Sequence, residues 1–75
     1  SKAAVFTGLY KYFVIPIIAK DGKCYVKMGC YLRTVEKWDT DFWNNPDEFT
    51  YHDTLESKYR LMSYQFAKQW IELNK

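Results

Sequence analysis

The chain has 75 residues, of which 48% are apolar and 20% aromatic, a composition that excludes a disordered tail and suits one small core. Net charge is only +2, yet residues 1–34 hold six basic groups against Asp21 alone, and residues 36–56 hold seven acidic groups against Lys37 alone. No run approaches the ~18 apolar residues of a membrane span. The first residues lack the basic start and long apolar centre of a secretory leader, so the expected location is cytosolic. Seven Tyr, five Phe and three Trp are more rings than a core of this size holds, so several are expected at a surface or interface.

The first strong local signal is Asp21-Gly22 between two apolar runs, which predicts a two-residue type I′ hairpin turn. That register pairs Ala19 with Cys24, Ile17 with Val26, Ile15 with Met28 and Phe13 with Cys30 on the core face. It pairs Ile18 with Tyr25, Pro16 with Lys27, Val14 with Gly29, Tyr12 with Tyr31 and Tyr10 with Arg33 on the outer face. Pro16 cannot donate to a ladder, which implies an edge or a bulge there. Alternation of Ala3, Val5 and Thr7 suggests a third strand over residues 3–9, and Gly8 argues against it.

Thr34 reads as the N-cap of a short helix that begins at Val35, with Val35, Trp38 and Phe42 at helical spacing. Asn44-Asn45-Pro46 ends it, and residues 45–53 read as a loop. A second helix begins near Asp53 or Thr54 and runs almost to the last residue. Leu55, Tyr59, Met62, Phe66, Trp70 and Leu73 fall within an arc of ~80° and read as its core stripe. Tyr64, Ala67 and Ile71 form a thinner stripe on the opposite side, a candidate face for a homo-oligomer. The order of antiparallel hairpin, short helix and long helix predicts one small α+β domain, with both helices on one sheet face.

Chemistry-bearing motifs are sparse. Six residues along one strand separate Cys24 from Cys30 by ~20 Å, whereas a disulfide needs less than ~7 Å between Cα atoms. Both read as free, buried thiols. His52 is the single histidine and lies among Asp47, Glu48 and Asp53 in what reads as a solvated loop. Asp39-Thr40-Asp41 opens like a calcium loop, but the glycine and glutamate that such a loop requires are missing. No phosphate loop, dinucleotide fingerprint or nucleophile elbow is present. The expectation is no cofactor, no metal and no enzyme.

Two surfaces remain as partner sites. The outer hairpin face brings Tyr10, Tyr12, Tyr25 and Tyr31 together with Val14, Ile18, Lys27 and Arg33. Rings and cations of this kind serve protein interfaces and also single-stranded nucleic acid. A third strand or the N-terminal segment lying over this face is the structural alternative. The second surface is the acidic, aromatic segment 36–49, which is either a site for a basic partner or a solvated loop; Trp43 is its expected exposed ring. Residues 30–38, Cys-Tyr-Leu-Arg-Thr-Val-Glu-Lys-Trp, resemble the strand-to-helix junction of small phage proteins of uncharacterised role. The resemblance implies a phage-encoded inhibitor of a host factor and carries over no site. The resulting expectation is a non-enzymatic module that binds a larger protein, with a nucleic-acid-binding domain as the alternative.

Overall fold

A computed structural model of the chain describes residues 1–41 and 54–75. Four antiparallel strands come first, β1 Lys2–Ala3, β2 Val14–Ile18, β3 Cys24–Met28 and β4 Tyr31–Thr34, side by side in that order. Helices α1, Val35–Asp41, and α2, Leu55–Asn74, follow. Both pack on one sheet face: Trp38 of α1 and Tyr64, Ala67 and Ile71 of α2 share a core with Val14, Ile18, Val26 and Met28. The architecture is α+β, as the sequence implies. The predicted N-terminal strand is cut to two residues, followed by a lone bridge between Phe6 and Val14.

The hairpin register differs from expectation by one residue. Val14 pairs with Met28, Pro16 with Val26 and Ile18 with Cys24. Two bonds set this, Gly22 N–H to Ala19 O at 3.0 Å and Ala19 N–H to Lys23 O at 2.9 Å. They enclose a three-residue loop, Lys20-Asp21-Gly22, that ends in a glycine with φ of +87°. A type I′ turn needs positive φ at both of its central residues, and Asp21 stays at negative φ. Its carboxylate instead accepts from Lys23 N at 3.0 Å, stabilising the longer loop. The extra residue moves β2 to the opposite face, because side chains alternate. Val14, Pro16 and Ile18 therefore enter the core, and Phe13, Ile15 and Ile17 point away from it.

The second strand also ends earlier than the alternation suggests. Gly29, at φ +62°, and Cys30 form a two-residue turn, so that Tyr31 comes back opposite Met28 as the start of β4. Glycine at the first loop position with positive φ is the requirement of a type II′ turn. The predicted pairs Phe13–Cys30, Tyr12–Tyr31 and Tyr10–Arg33 therefore do not form. Cys30, placed in the turn, is exposed rather than buried, Cys24 is half-buried, and both thiols are free.

Pro16 lies on an interior strand and still obeys its restriction. Its carbonyl accepts from Ala4 N at 3.3 Å, while its ring nitrogen has no hydrogen to return. The β1 ladder is thus one-sided opposite Pro16 and recovers at Phe6 and Val14, which exchange both bonds.

The predicted cap at Thr34 is present, and Thr54, one of the two expected start residues of the second helix, caps that helix. Thr34 Oγ1 accepts from Lys37 N at 3.2 Å and Thr54 Oγ1 from Ser57 N at 3.1 Å. The phase of α2 is the reverse of the expected one. Its buried residues are Ser57, Arg60, Ser63, Tyr64, Ala67 and Ile71. Five of the six residues of the stripe read as core are outside, with Leu55 67%, Tyr59 46%, Met62 46%, Phe66 42% and Leu73 84% exposed, while Trp70 is half-buried and packs against the core. Small residues explain the inversion. Ser57 Oγ donates to Thr54 O and Ser63 Oγ to Tyr59 O, so each hydroxyl is satisfied by its own helix. These serines then behave as small, polar-neutral packing residues that let the helix backbone approach the sheet. Because Tyr64, Ala67 and Ile71 are core, they form no homo-oligomer face.

Candidate interaction surfaces

The outer face of the sheet is built by strand alternation. From β2 it receives Ile15 and Ile17, from β3 Tyr25 and Lys27, and from β4 Leu32 and Thr34, as the pairs Ile15–Lys27, Ile17–Tyr25, Lys27–Leu32 and Tyr25–Thr34 show. Phe13 continues the β2 row beside Gly29, and Val5 extends it on the β1 side. Phe13 is 60%, Val5 60% and Leu32 55% exposed, so the face is apolar and open. Lys27 is the one charged side chain that β2, β3 and β4 place on it.

Of the predicted site residues, only Tyr25 and Lys27 share this face. Val14 and Ile18 are core. Tyr31 and Arg33 lie on the helix side of β4, where the Arg33 guanidinium sits 5.0 Å from the Tyr31 ring and 4.9 Å from the Trp38 ring. These stacks hold Arg33 against the core rim. Trp38 is itself fully buried and donates its indole N–H to Val26 O at 2.7 Å. Tyr10 packs on the core from the segment before β2, and its hydroxyl accepts from Arg60 Nε at 3.3 Å. Tyr12 meets Tyr10 edge to face at 5.7 Å and is half exposed. Of the acidic segment 36–49, residues 36–41 form most of α1, and Phe42, Trp43, Asp47, Glu48 and, beyond the segment, His52 lie outside the described residues.

Sequence reasoning misses Phe13, Ile15 and Ile17 as surface groups because of the one-residue register, and Leu32 because the Gly29–Cys30 turn folds it back as β4. A signal did exist: Gly22 suits the last, left-handed position of a three-residue loop Lys20-Asp21-Gly22 as well as the second position of a two-residue one.

The second open surface is the apolar stripe of α2. Phe66 meets Phe6 edge to face at 4.8 Å, which ties one border of the stripe to the N-terminal segment. Nearby, Lys11 pairs with Glu56 at 3.1 Å, and this hydrogen-bonded carboxylate raises the pKa of the ammonium.

The helices are fastened to each other by a polar cluster. The Tyr64 hydroxyl donates to Asp39 Oδ1 at 2.7 Å, with Val35 O also 3.1 Å away. Lys68 Nζ lies 3.1 Å from both Asp39 oxygens. Burial, followed by the bond to Asp39, pushes the phenol pKa well above its ordinary value.

Among the described residues, no three His, Cys, Asp or Glu side chains are grouped to hold a metal, and no helix is long and apolar enough to cross a membrane. Comparison with family models, curated proteins and solved structures finds no match to this chain.

Proposed function

We propose that the protein is a non-enzymatic binding module and that the outer face of its sheet docks on a larger protein. The observation that carries this reading is the open row of Val5, Phe13 and Leu32, each more than half exposed, around half-buried Ile15, Ile17 and Tyr25. A contiguous apolar patch left in water usually marks an interaction site. The fitting partner presents a flat apolar patch with one carboxylate, which meets Lys27 at the centre of the face. Four aliphatic side chains, two rings and a single strand-borne cation favour protein over nucleic acid, whose backbone is held by several cations.

The test is affinity capture from a lysate of the source organism, with and without nuclease, using the natural chain and a Phe13→Lys, Leu32→Lys variant. Supporting the reading requires one protein captured by the natural chain, retained after nuclease and lost with the variant. Capture that survives the double change, or that nuclease abolishes, overturns it.

A further inference from the structure

The outer stripe of α2 has a regular spacing. Leu55, Tyr59, Met62, Phe66, Gln69 and Leu73 follow one another at intervals of four, three, four, three and four residues. That is the a/d pattern of a coiled-coil seam, in which every second interval completes a heptad. All six positions are exposed. The residues diametrically opposite, Ser57, Tyr64 and Ile71, are the ones buried against the sheet. The helix thus carries one seam packed on the sheet and one outward seam, which meets the N-terminal segment at its border, where Phe66 lies edge to face with Phe6.

We infer that this second seam is a self-association face, and that two copies of the chain pair through α2 in antiparallel orientation. The a/d seam alone allows either direction, and the flanking side chains choose. With a two-fold axis at Tyr64, every a position meets a d position of the second copy: Leu55 faces Leu73, Tyr59 faces Gln69 and Met62 faces Phe66. The one polar seam residue, Gln69, then has the Tyr59 hydroxyl as a hydrogen-bond partner, which removes the usual cost of a polar group in a seam. Along the solvent edge, Lys58 of one copy meets Glu72 of the other, twice by symmetry, with Gln65 facing Gln65 between them. Lys58, Gln65 and Glu72 are all exposed, and the Glu72 carboxylate, 3.1 Å from Lys75 Nζ of its own chain, would share or exchange that exposed ion pair. A parallel pair forms no such ion pair, since Lys58 would face Ser63, which is buried against the sheet. It also places Gln69 against Gln69. A closed two-fold dimer uses one self-complementary patch, as this register does. The inference concerns a different surface from the sheet face, so the two stand or fall separately.

Sedimentation velocity on the full chain tests it over a dilution series. The natural chain forms a dimer, and Met62→Lys, at a half-exposed position, weakens it at least about tenfold. Lys58→Glu and Glu72→Lys each weaken it severalfold, partly because like charges then face each other. The double exchange Lys58→Glu with Glu72→Lys restores affinity to within about twofold of the natural chain, an effect that a purely intrachain role cannot produce. Orientation is read by cross-linking in a Cys24→Ser, Cys30→Ser background. Gln65→Cys forms a disulfide-linked dimer on mild oxidation. Leu55→Cys does not, because the two copies of residue 55 lie ~27 Å apart at 1.5 Å per residue. A chain that stays monomeric to about 1 mM overturns the inference. So does a dimer indifferent to Met62→Lys, or a cross-link at Leu55→Cys in place of Gln65→Cys.

Discussion

The Tyr64 hydroxyl and the Asp39 carboxylate, 2.7 Å apart, join the two helices. The bond holds the phenol in its protonated form. Unfolding exposes Tyr64 at the ordinary phenol pKa of about 10, whereas in the folded chain it titrates at higher pH. The folded state therefore keeps a proton that the unfolded state gives up. This contribution is fully present below the unfolded pKa and is lost as pH rises from there through the folded one. Asp39, Glu36 and Lys68 are the charged groups that face the phenol. Urea denaturation from pH 7 to 11 should show a steeper alkaline loss for the natural chain than for Tyr64→Phe. At neutral pH the variant should be weaker by about 1–2 kcal/mol.

The phase of α2 makes an unusual ordering of side chains testable. Ile71 is 2% exposed and Phe66 is 42% exposed. Ile71→Ala should cost about 2–5 kcal/mol, and Phe66→Ala only about 1 kcal/mol, from the edge-to-face contact with Phe6. Chemical denaturation at a concentration where the chain is monomeric measures both. The larger residue being the cheaper loss is the discriminating result.

Gly29 and Gly22 both have positive φ, but only one is enclosed. A Cβ on Gly29 would lie 3.2 Å from the Tyr12 ring, and one on Gly22 would meet nothing within 4 Å. Gly22→Ala should cost about 1–2 kcal/mol for the left-handed conformation alone. Gly29→Ala should cost more, and the added loss should shrink when Tyr12 is changed to Ala. A double-mutant cycle in thermal denaturation reads the coupling.

The two thiols should react at different rates. Cys30 is exposed in its turn, while Cys24 is half-buried and its Sγ donates to Gly22 O at 3.6 Å. Timed alkylation followed by mass spectrometry should label Cys30 first, with Cys24 reaching completion only on denaturation.

Periodicity and capping carried much of the fold. The hairpin, the Thr34 cap and the order of elements follow from spacing, turn residues and capping. What failed was phase. In the hairpin, the backbone of Asp21 decided between two loop lengths that differ by one residue, and that choice inverted β2 while leaving Val26 and Met28 correctly inside. In α2, the larger apolar stripe was taken for the inner one. Serines satisfied by their own backbone, and a tyrosine satisfied by Asp39, made the polar-looking side the packed side. The serine bonds are local and compatible with either face, whereas the Tyr64–Asp39 bond joins residues 25 apart and has no signature in spacing. The candidate surface inherits the register shift and the unanticipated Gly29–Cys30 turn: of the eight residues expected on the hairpin face, Tyr25 and Lys27 alone share the open sheet face.

The missing hydrogen of Pro16 also governs how the N-terminal strand comes away. With its ladder incomplete opposite Pro16, β1 should detach in a subglobal opening well below the cost of full unfolding, and the amides of Ala4 and Phe6 should exchange faster than those of β3. The edge so uncovered is a poor template. A foreign strand added to β2 would find a carbonyl at Pro16 but no donor, so its ladder could not close. The same residue that loosens the natural strand thereby protects the sheet against strand exchange and edge-to-edge aggregation whenever that strand is open.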